Sequence, residues 1–236
     1  MEQEIVAVLF DAVGTLIEAA PPVAEVYRAA ATRFGSRLSL EQIRDRFRRT
    51  IAAPPQQAGS PPSLTRPVTS EALERERWRS IVADVMDDVP TAAADDLFAE
   101  LWEHFSRPTS WRLFDDVAPT WNELQQRGYT LGIASNFDSR LRSVLSCLPP
   151  LARCEKLFIS SELGYPKPDP RFFAAVQSRL QLKPKQIVLV GDDWTNDVVG
   201  GKAAGWATQW LNRDPKAASG NGLARLTDLL SLLPPR

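Results

Sequence analysis

Four short segments hold the residues of this chain that could do chemistry together: Asp11-Ala12-Val13-Gly14-Thr15, Ala134-Ser135-Asn136, Lys167-Pro168-Asp169-Pro170, and Gly191-Asp192-Asp193 followed by Asn196-Asp197. A carboxylate can attack an electrophile, a hydroxyl beside backbone N–H groups can hold an anion, a lysine can neutralise charge, and grouped carboxylates can ligate a hard cation. In one pocket, such a set suits attack on a phosphoryl group. Two like charges ~4 Å apart cost on the order of 4 kcal/mol at an effective dielectric of 20. Lys167 cannot offset several such pairs among Asp11, Asp192, Asp193 and Asp197. A divalent cation can, and Mg2+ fits best because it takes oxygen ligands and binds through one or two carboxylates plus a substrate phosphate.

Such residues meet only if the fold delivers them to one place. The first, second and fourth segments follow the apolar runs Ile5-Val6-Ala7-Val8-Leu9-Phe10, Leu131-Gly132-Ile133-Ala134 and Ile187-Val188-Leu189-Val190, which read as buried strands. Open α/β sheets bind ligands at the carboxyl ends of parallel strands. Asp11, Ser135 and Asp192 would then share one edge. Gly14 permits a tight turn beside a ligand, and Pro166 and Pro168 restrict the backbone that presents Lys167. Each residue also has a plain structural reading. An aspartate after a strand often caps a turn or helix, a serine often caps a helix, and Asp138 and Asp169 read as caps of the helices that follow them.

Along the chain, Pro21-Pro22 opens a helix to about Phe34 that stops at Gly35, and Ser39 with Gln42 resembles a capping box for a helix through about Ile51. From Ala53 to Pro67 the chain is rich in proline, glycine and serine and reads as a long loop. Ser70 and Thr91 are expected to cap two further helices, which carry Trp78, Ile81, Val82 and Val85, and Leu97, Leu101, Trp102 and Phe105. The pattern then alternates helix and strand. Strands are expected at Tyr129–Ala134, Lys156–Ile159, Gln186–Val190 and Ala207–Leu211, and helices from Val117 to Gly128 and near Arg140–Leu145, Pro170–Leu180, Asn196–Ala204 and Leu223–Leu233. This alternation predicts an α/β, doubly wound parallel sheet, residues 1–17 and 107–236, with an inserted α-helical cap over residues 18–106.

With 236 residues and 44% apolar content, the chain can bury a substantial core. A net charge of −1 excludes a general nucleic-acid binder, which needs a strongly basic face. Nothing approaches a membrane span, and Ile5–Phe10, flanked by Glu2 and Glu4, is too short and acidic for a secretory leader. Cys147 and Cys154 do not form a Cys-x-x-Cys pair and read as reduced thiols. A cytoplasmic monomer or homodimer is the expectation.

The four segments, in this order and at these separations, resemble the motifs of the haloacid dehalogenase-like hydrolase superfamily, in its helical-cap subgroup, over Ile5 to Trp210. The stretches from Trp111, Ala134 to Asp138 and Gly164 to Pro170 look most like a branch typified by uncharacterised animal proteins. The resemblance implies a Rossmann-like core with a cap that closes over the site. It implies Asp11 as the nucleophile that forms an aspartyl-phosphate, Thr15, Ser135 and Asn136 with Lys167 as substrate-binding groups, and Lys167 as the balancing charge. Asp11, the Val13 carbonyl and Asp192 would ligate Mg2+, supported by Asp193 or Asp197, and the substrate would be a small phosphorylated metabolite.

One position departs from the pattern. Most phosphatases of this family carry a second aspartate two residues after the nucleophile as general acid and base, and here that residue is Val13. A positioned acid is worth roughly 10²–10⁴-fold. The expectation is therefore a slow phosphatase that favours acyl or aryl over alkyl phosphates. Two rivals follow from the same position: a catalytically weak binding or scaffold module, and a metal-independent 2-haloacid dehalogenase, against which the acidic cluster speaks. His104 is a candidate for the missing acid or a structural residue. Arg44, Arg46, Arg48 and Arg49 read as a solvated helix face that alternates with Asp45. Trp194 and Tyr165 are candidates to meet substrate, whereas Trp102, Trp121, Trp206 and Trp210 read as core.

Overall fold

A computed structural model describes residues 4–52, 68–213 and 222–236. Strand β1 (Ala7–Phe10) is fully buried and lies at the middle of a five-stranded sheet ordered β5-β4-β1-β6-β7, in which β4 is Thr130–Ser135, β5 Leu157–Ile159, β6 Ile187–Gly191 and β7 Ala207–Trp210. Every pairing is parallel. The register sets Phe10 opposite Ile133 of β4 and Val190 of β6, so Asp11, Ser135 and Asp192 leave the sheet along one edge.

Side chains of β1 alternate between two covered faces, as the period of a strand requires. Val8 and Phe10 join a core with Val117, Trp121 and Leu124 of α5 (Val117–Gln126) and Leu141, Val144 and Leu145 of α6 (Arg140–Leu145). Leu9 faces the other way, onto Trp206 and onto Phe172, Phe173 and Val176 of α8 (Pro170–Leu180), which follows the short α7 (Ser160–Leu163). Four further helices, α1 (Val23–Arg33), α2 (Leu40–Ala52), α3 (Glu71–Val85) and α4 (Thr91–His104), pack around a separate core that includes Tyr27, Ile43, Ile81, Val85, Leu97 and Leu101. They are joined to the sheet domain through an antiparallel ribbon of β2 (Ile17–Ala19) and β3 (Trp111–Leu113).

Local rules account for most boundaries. Gly35 at φ 89° ends the α1 turn, Ser39 and Gln42 exchange capping-box bonds, and Ser70 accepts the Leu73 N–H. Three expectations need correction. Pro90, not Thr91, stands before α4, and no side chain caps it. The helix expected over Asn196–Ala204 begins earlier, as a π-helical turn over Trp194–Val199 that runs into α9 (Gly200–Ala203). Leu223 donates its N–H to Trp210 in an extended pairing, so the last helical stretch is only a 3₁₀ segment, Leu226–Ser231. The ribbon strands β2 and β3, only three residues each, carried no periodicity to read. The loop expected at 53–67 lies outside the described residues.

Candidate active site

Lys167 is the centre of the site. Its buried ammonium donates to Asp11 Oδ1 at 2.8 Å, to Asp197 Oδ1 at 2.5 Å and to the Ala134 carbonyl at 2.8 Å, which uses all three of its protons. Burial alone would lower the pKa of this ammonium, but the adjoining Asp11 and Asp197 carboxylates hold it well above the ordinary lysine value. Its backbone is clamped from β4: the Lys167 N–H donates to Asn136 Oδ1 at 2.7 Å, and Asn136 Nδ2 donates to the Lys167 carbonyl at 2.8 Å. Each end of the Asn136 amide makes a bond in this way, so Asn136 positions the lysine, and it also borders the cavity where a substrate contact was expected.

Thr15 is likewise redirected. It is fully buried, its hydroxyl donates to Asp192 Oδ1 at 2.9 Å and accepts from the Asp192 N–H at 3.1 Å, and it is not part of the cavity wall described below. The expected substrate ligand instead ties the Asp11 loop to the acidic loop, because a buried hydroxyl must find partners within the protein. Gly14, at φ 84°, and Gly191 make room for the carboxylates: a Cβ on Gly14 would lie 2.3 Å from Asp192 Oδ2, and one on Gly191 would lie 2.1 Å from Asp197 Oδ2.

Asp11, Asp192 and Asp197 each offer a carboxylate oxygen within 4.8 Å of the others. Asp193 is not one of the three. Its carboxylate turns to the following helix and accepts from the Thr195 and Asn196 N–H groups at 2.9 Å and from Asn196 Nδ2 at 2.6 Å. The expected ligand role of Asp193 gives way to capping. Lys167 pairs Asp11 and Asp197 but makes no bond to Asp192. Asp192 opens onto the cavity, yet enough protein surrounds it that lost hydration, together with the Asp11 charge, pushes its pKa up to about 6. Burial also raises Asp197, against the pull of Lys167. When all three carboxylates are ionised, the single lysine leaves two negative charges, which a divalent cation with oxygen ligands would match. The donor set therefore fits such an ion.

Asp11, Val13, Ser135, Asn136, Lys167 and all of the acidic residues border a cavity of about 640 Å³ that continues between α1–α4 and the sheet domain. Val13 presents its side chain there, 40% exposed, with no acid or base of its own. Ser135, buried at the end of β4, faces the same space. Trp194 and Tyr165 do not border it. Trp194 packs on Trp210 with ring centroids 5.3 Å apart, and Arg171 covers Tyr165. Trp210 is only half-buried and donates its indole N–H to the Asp192 carbonyl at 3.0 Å, while Trp102 forms part of the cavity wall; neither belongs wholly to a core, as expected, whereas Trp121 and Trp206 do. His104 lies against Phe105, away from the cavity wall, and burial lowers its pKa, with the charge of Arg107 adding to the effect. Arg46 pairs with Asp87 and Arg48 with Asp45, as on a solvated face.

One supporting network carried no sequence signal. Arg213 donates to both oxygens of Asp116 at 2.9 Å and to the Thr15 carbonyl at 2.8 Å, bracing the Asp11 loop across almost two hundred residues. Asp116 precedes α5 and resembles a helix cap in sequence, yet its carboxylate goes to Arg213 and to the Leu226 N–H. Only a long-range pairing distinguishes the two roles.

The sequence profile of the haloacid dehalogenase-like hydrolases matches residues 5–205, and the chain belongs to that family. It is similar to haloacid dehalogenase-like hydrolase domain-containing protein 3 of Mus musculus, 31% identical over 83% of this chain and 77% of that one. It also resembles a phosphoglycolate phosphatase of Xanthomonas campestris, 28% identical over 84% and 79% of the two chains. In architecture it matches a defluorinating L-2-haloacid dehalogenase, with a TM-score of 0.74 over 97% of this chain and 95% of that one at 22% identity, a likeness of fold alone. The protein is a hydrolase of the haloacid dehalogenase-like family. Among the described residues no helix is long and apolar enough to cross a membrane.

Proposed function

We propose that this chain is a magnesium-dependent phosphatase acting on a small phosphorylated metabolite through an aspartyl-phosphate on Asp11. The observation that carries the reading is the Asp11–Asp192–Asp197 group, within 4.8 Å, facing a single lysine. Asp11 attacks phosphorus while the bond to the departing oxygen breaks and that oxygen keeps the electron pair. Water then attacks the acyl phosphate, releasing phosphate and restoring Asp11. Lys167 holds Asp11 in place and balances the charge that gathers on the transferred group. Ser135 offers a hydroxyl from the sheet edge to a phosphoryl oxygen. The ion, held by Asp11, Asp192 and the Val13 carbonyl with Asp197 alongside, would supply further neutralisation of the phosphate oxygens.

Val13 gives no proton to the leaving group, so alkyl phosphates are slow and acyl or aryl phosphates, whose leaving groups depart as stable anions, are favoured. The Asp192 and Asp197 carboxylates disfavour a metal-free dehalogenase, since they would repel the attacking Asp11 carboxylate with no divalent cation to share. Turnover of p-nitrophenyl phosphate and acetyl phosphate with magnesium, against an Asp11→Asn control, tests the proposal. Rates above the control are expected. Rates equal to it would sink the phosphatase reading, and magnesium binding without hydrolysis would point to a binding module. Chloride release from a 2-chloro acid without metal would point to dehalogenation instead.

A further inference from the structure

The cavity that begins at Asp11 does not end at the acidic group. It runs on between the helices and the sheet domain, and the part bounded by the inserted helices is walled largely by aromatic rings, among them Tyr27, Phe47, Trp78, Trp102 and Phe105. These rings brace one another. Tyr27 meets Phe47 edge-on with centroids 5.6 Å apart, Phe47 stacks on Trp78 at 6.5 Å, and Tyr27 packs on Phe105 at 6.2 Å. A preformed wall of this kind loses little entropy when it closes on a flat apolar group.

Among the described residues, the cations on this part of the wall, Arg140 and Arg77, each face a carboxylate. Arg140 lies 3.3 Å from the Trp102 ring centroid and donates to both oxygens of Asp138 at 2.7 Å, and Arg77 pairs with Glu74 at 3.5 Å. A second phosphate or carboxylate on the substrate would have to compete with Glu74 and Asp138 for these cations. An uncharged aromatic body would bury apolar surface against rings.

We infer that the preferred substrate is the phosphate monoester of a bulky aromatic alcohol of the phenol or naphthol type, with its ring seated among the cap aromatics and its phosphate at Asp11. This rests on the phosphatase reading above and adds the identity of the leaving group. The size of the cavity, about 640 Å³, lies within the range of small-molecule sites and exceeds what a two- or three-carbon phosphate needs. Val13 supports the same conclusion independently, because an aryl oxide can depart without a proton from the protein.

The test compares phenyl phosphate with 2-naphthyl phosphate, whose leaving groups are of similar acidity, and with acetyl phosphate, all with magnesium. The expected result is a kcat/KM for the naphthyl ester about tenfold or more above that of the phenyl ester, carried by KM, since added apolar surface in a fitting pocket is worth at least that factor. In Val23→Trp, which narrows the wall, the naphthyl-to-phenyl ratio should fall toward one. A ratio taken within one preparation is unaffected by how much of the variant folds. Equal or lower kcat/KM for the naphthyl ester, with all three substrates turned over, overturns this inference and leaves the phosphatase reading standing. No turnover of any of the three above the Asp11→Asn control overturns both.

Discussion

At the scale of single residues, the proposed function puts the rate on Val13 and the integrity of the site on Lys167. Val13 faces the cavity, and aspartate is close to valine in size, so Val13→Asp restores an acid with little steric cost. Turnover of an alkyl phosphate should rise by about 10² or more, measured as kcat in a variant whose unfolding midpoint is unchanged. No rise in a folded Val13→Asp protein would mean that the leaving oxygen sits elsewhere. Lys167→Met strands the Asp11 and Asp197 carboxylates beside each other, and breaking such a buried pair costs on the order of 3 kcal/mol. Urea unfolding should report that loss, and turnover should vanish with it. The types of Asp11, Lys167 and Asp192 were legible because strong apolar runs or prolines precede them. The true partners of Thr15, Asn136 and Asp193 were not, since a hydroxyl, an amide or a capping carboxylate can point toward several neighbours, and only the surrounding geometry selects one.

At the scale of elements, the cap helices are fastened to the sheet domain at the start of α3. Glu71 accepts from the Ser139 N–H at 3.0 Å and from the Ser139 hydroxyl at 2.7 Å, with the Ser161 hydroxyl at 2.5 Å, and the Thr69 N–H donates to the Gly164 carbonyl at 3.0 Å. Burial opposes ionisation of Glu71, but these hydrogen bonds, with the Arg140 charge adding to them, outweigh it and hold its pKa below the usual carboxylate range. Glu71→Ala should speed hydrogen exchange at Ser139 and Thr69 while changing global stability by no more than about 1 kcal/mol, because the contact is exposed. Exchange as slow as in the parent would show that the fastening lies elsewhere. The limits of α6 and α8 follow from the sequence because proline, aspartate and apolar spacing agree there. The three-residue ribbon strands escaped notice, since so short a segment has no period and exists only because Ile17–Ala19 and Trp111–Leu113 find each other across the inserted helices.

At the scale of the whole molecule, two titrations bear on stability. Burial would raise the pKa of Asp116, but the Arg213 hydrogen bonds, the Leu226 N–H and the Arg213 charge together hold it below the ordinary aspartate value. A depressed folded pKa stabilises the protein above the unfolded value, near 4, and that contribution is lost as pH falls through the lower folded value. Asp116→Asn should therefore flatten the acid limb of a stability-versus-pH curve below about pH 4. An unchanged limb would mean that the pair with Arg213 is not formed in solution. Under the proposed function magnesium is the second lever: an ion held only by the folded protein would add about 2.7 kcal/mol at a hundred times its Kd. Tm should rise with magnesium, fall back on chelation, and respond weakly in Asp192→Asn, in which one charge of the acidic group is removed.

The order of apolar runs, caps and prolines was enough to specify an α/β sheet with a helical insertion, because local periodicity and turn chemistry act over a few residues. It also placed Asp11, Ser135 and Asp192 at strand ends. Which carboxylates share the lysine, which merely cap a helix, and which rings line the space above Asp11 were settled only by packing. Those contacts join residues 31 to 198 positions apart, and the energy of such a contact depends on three-dimensional neighbours that no local pattern encodes.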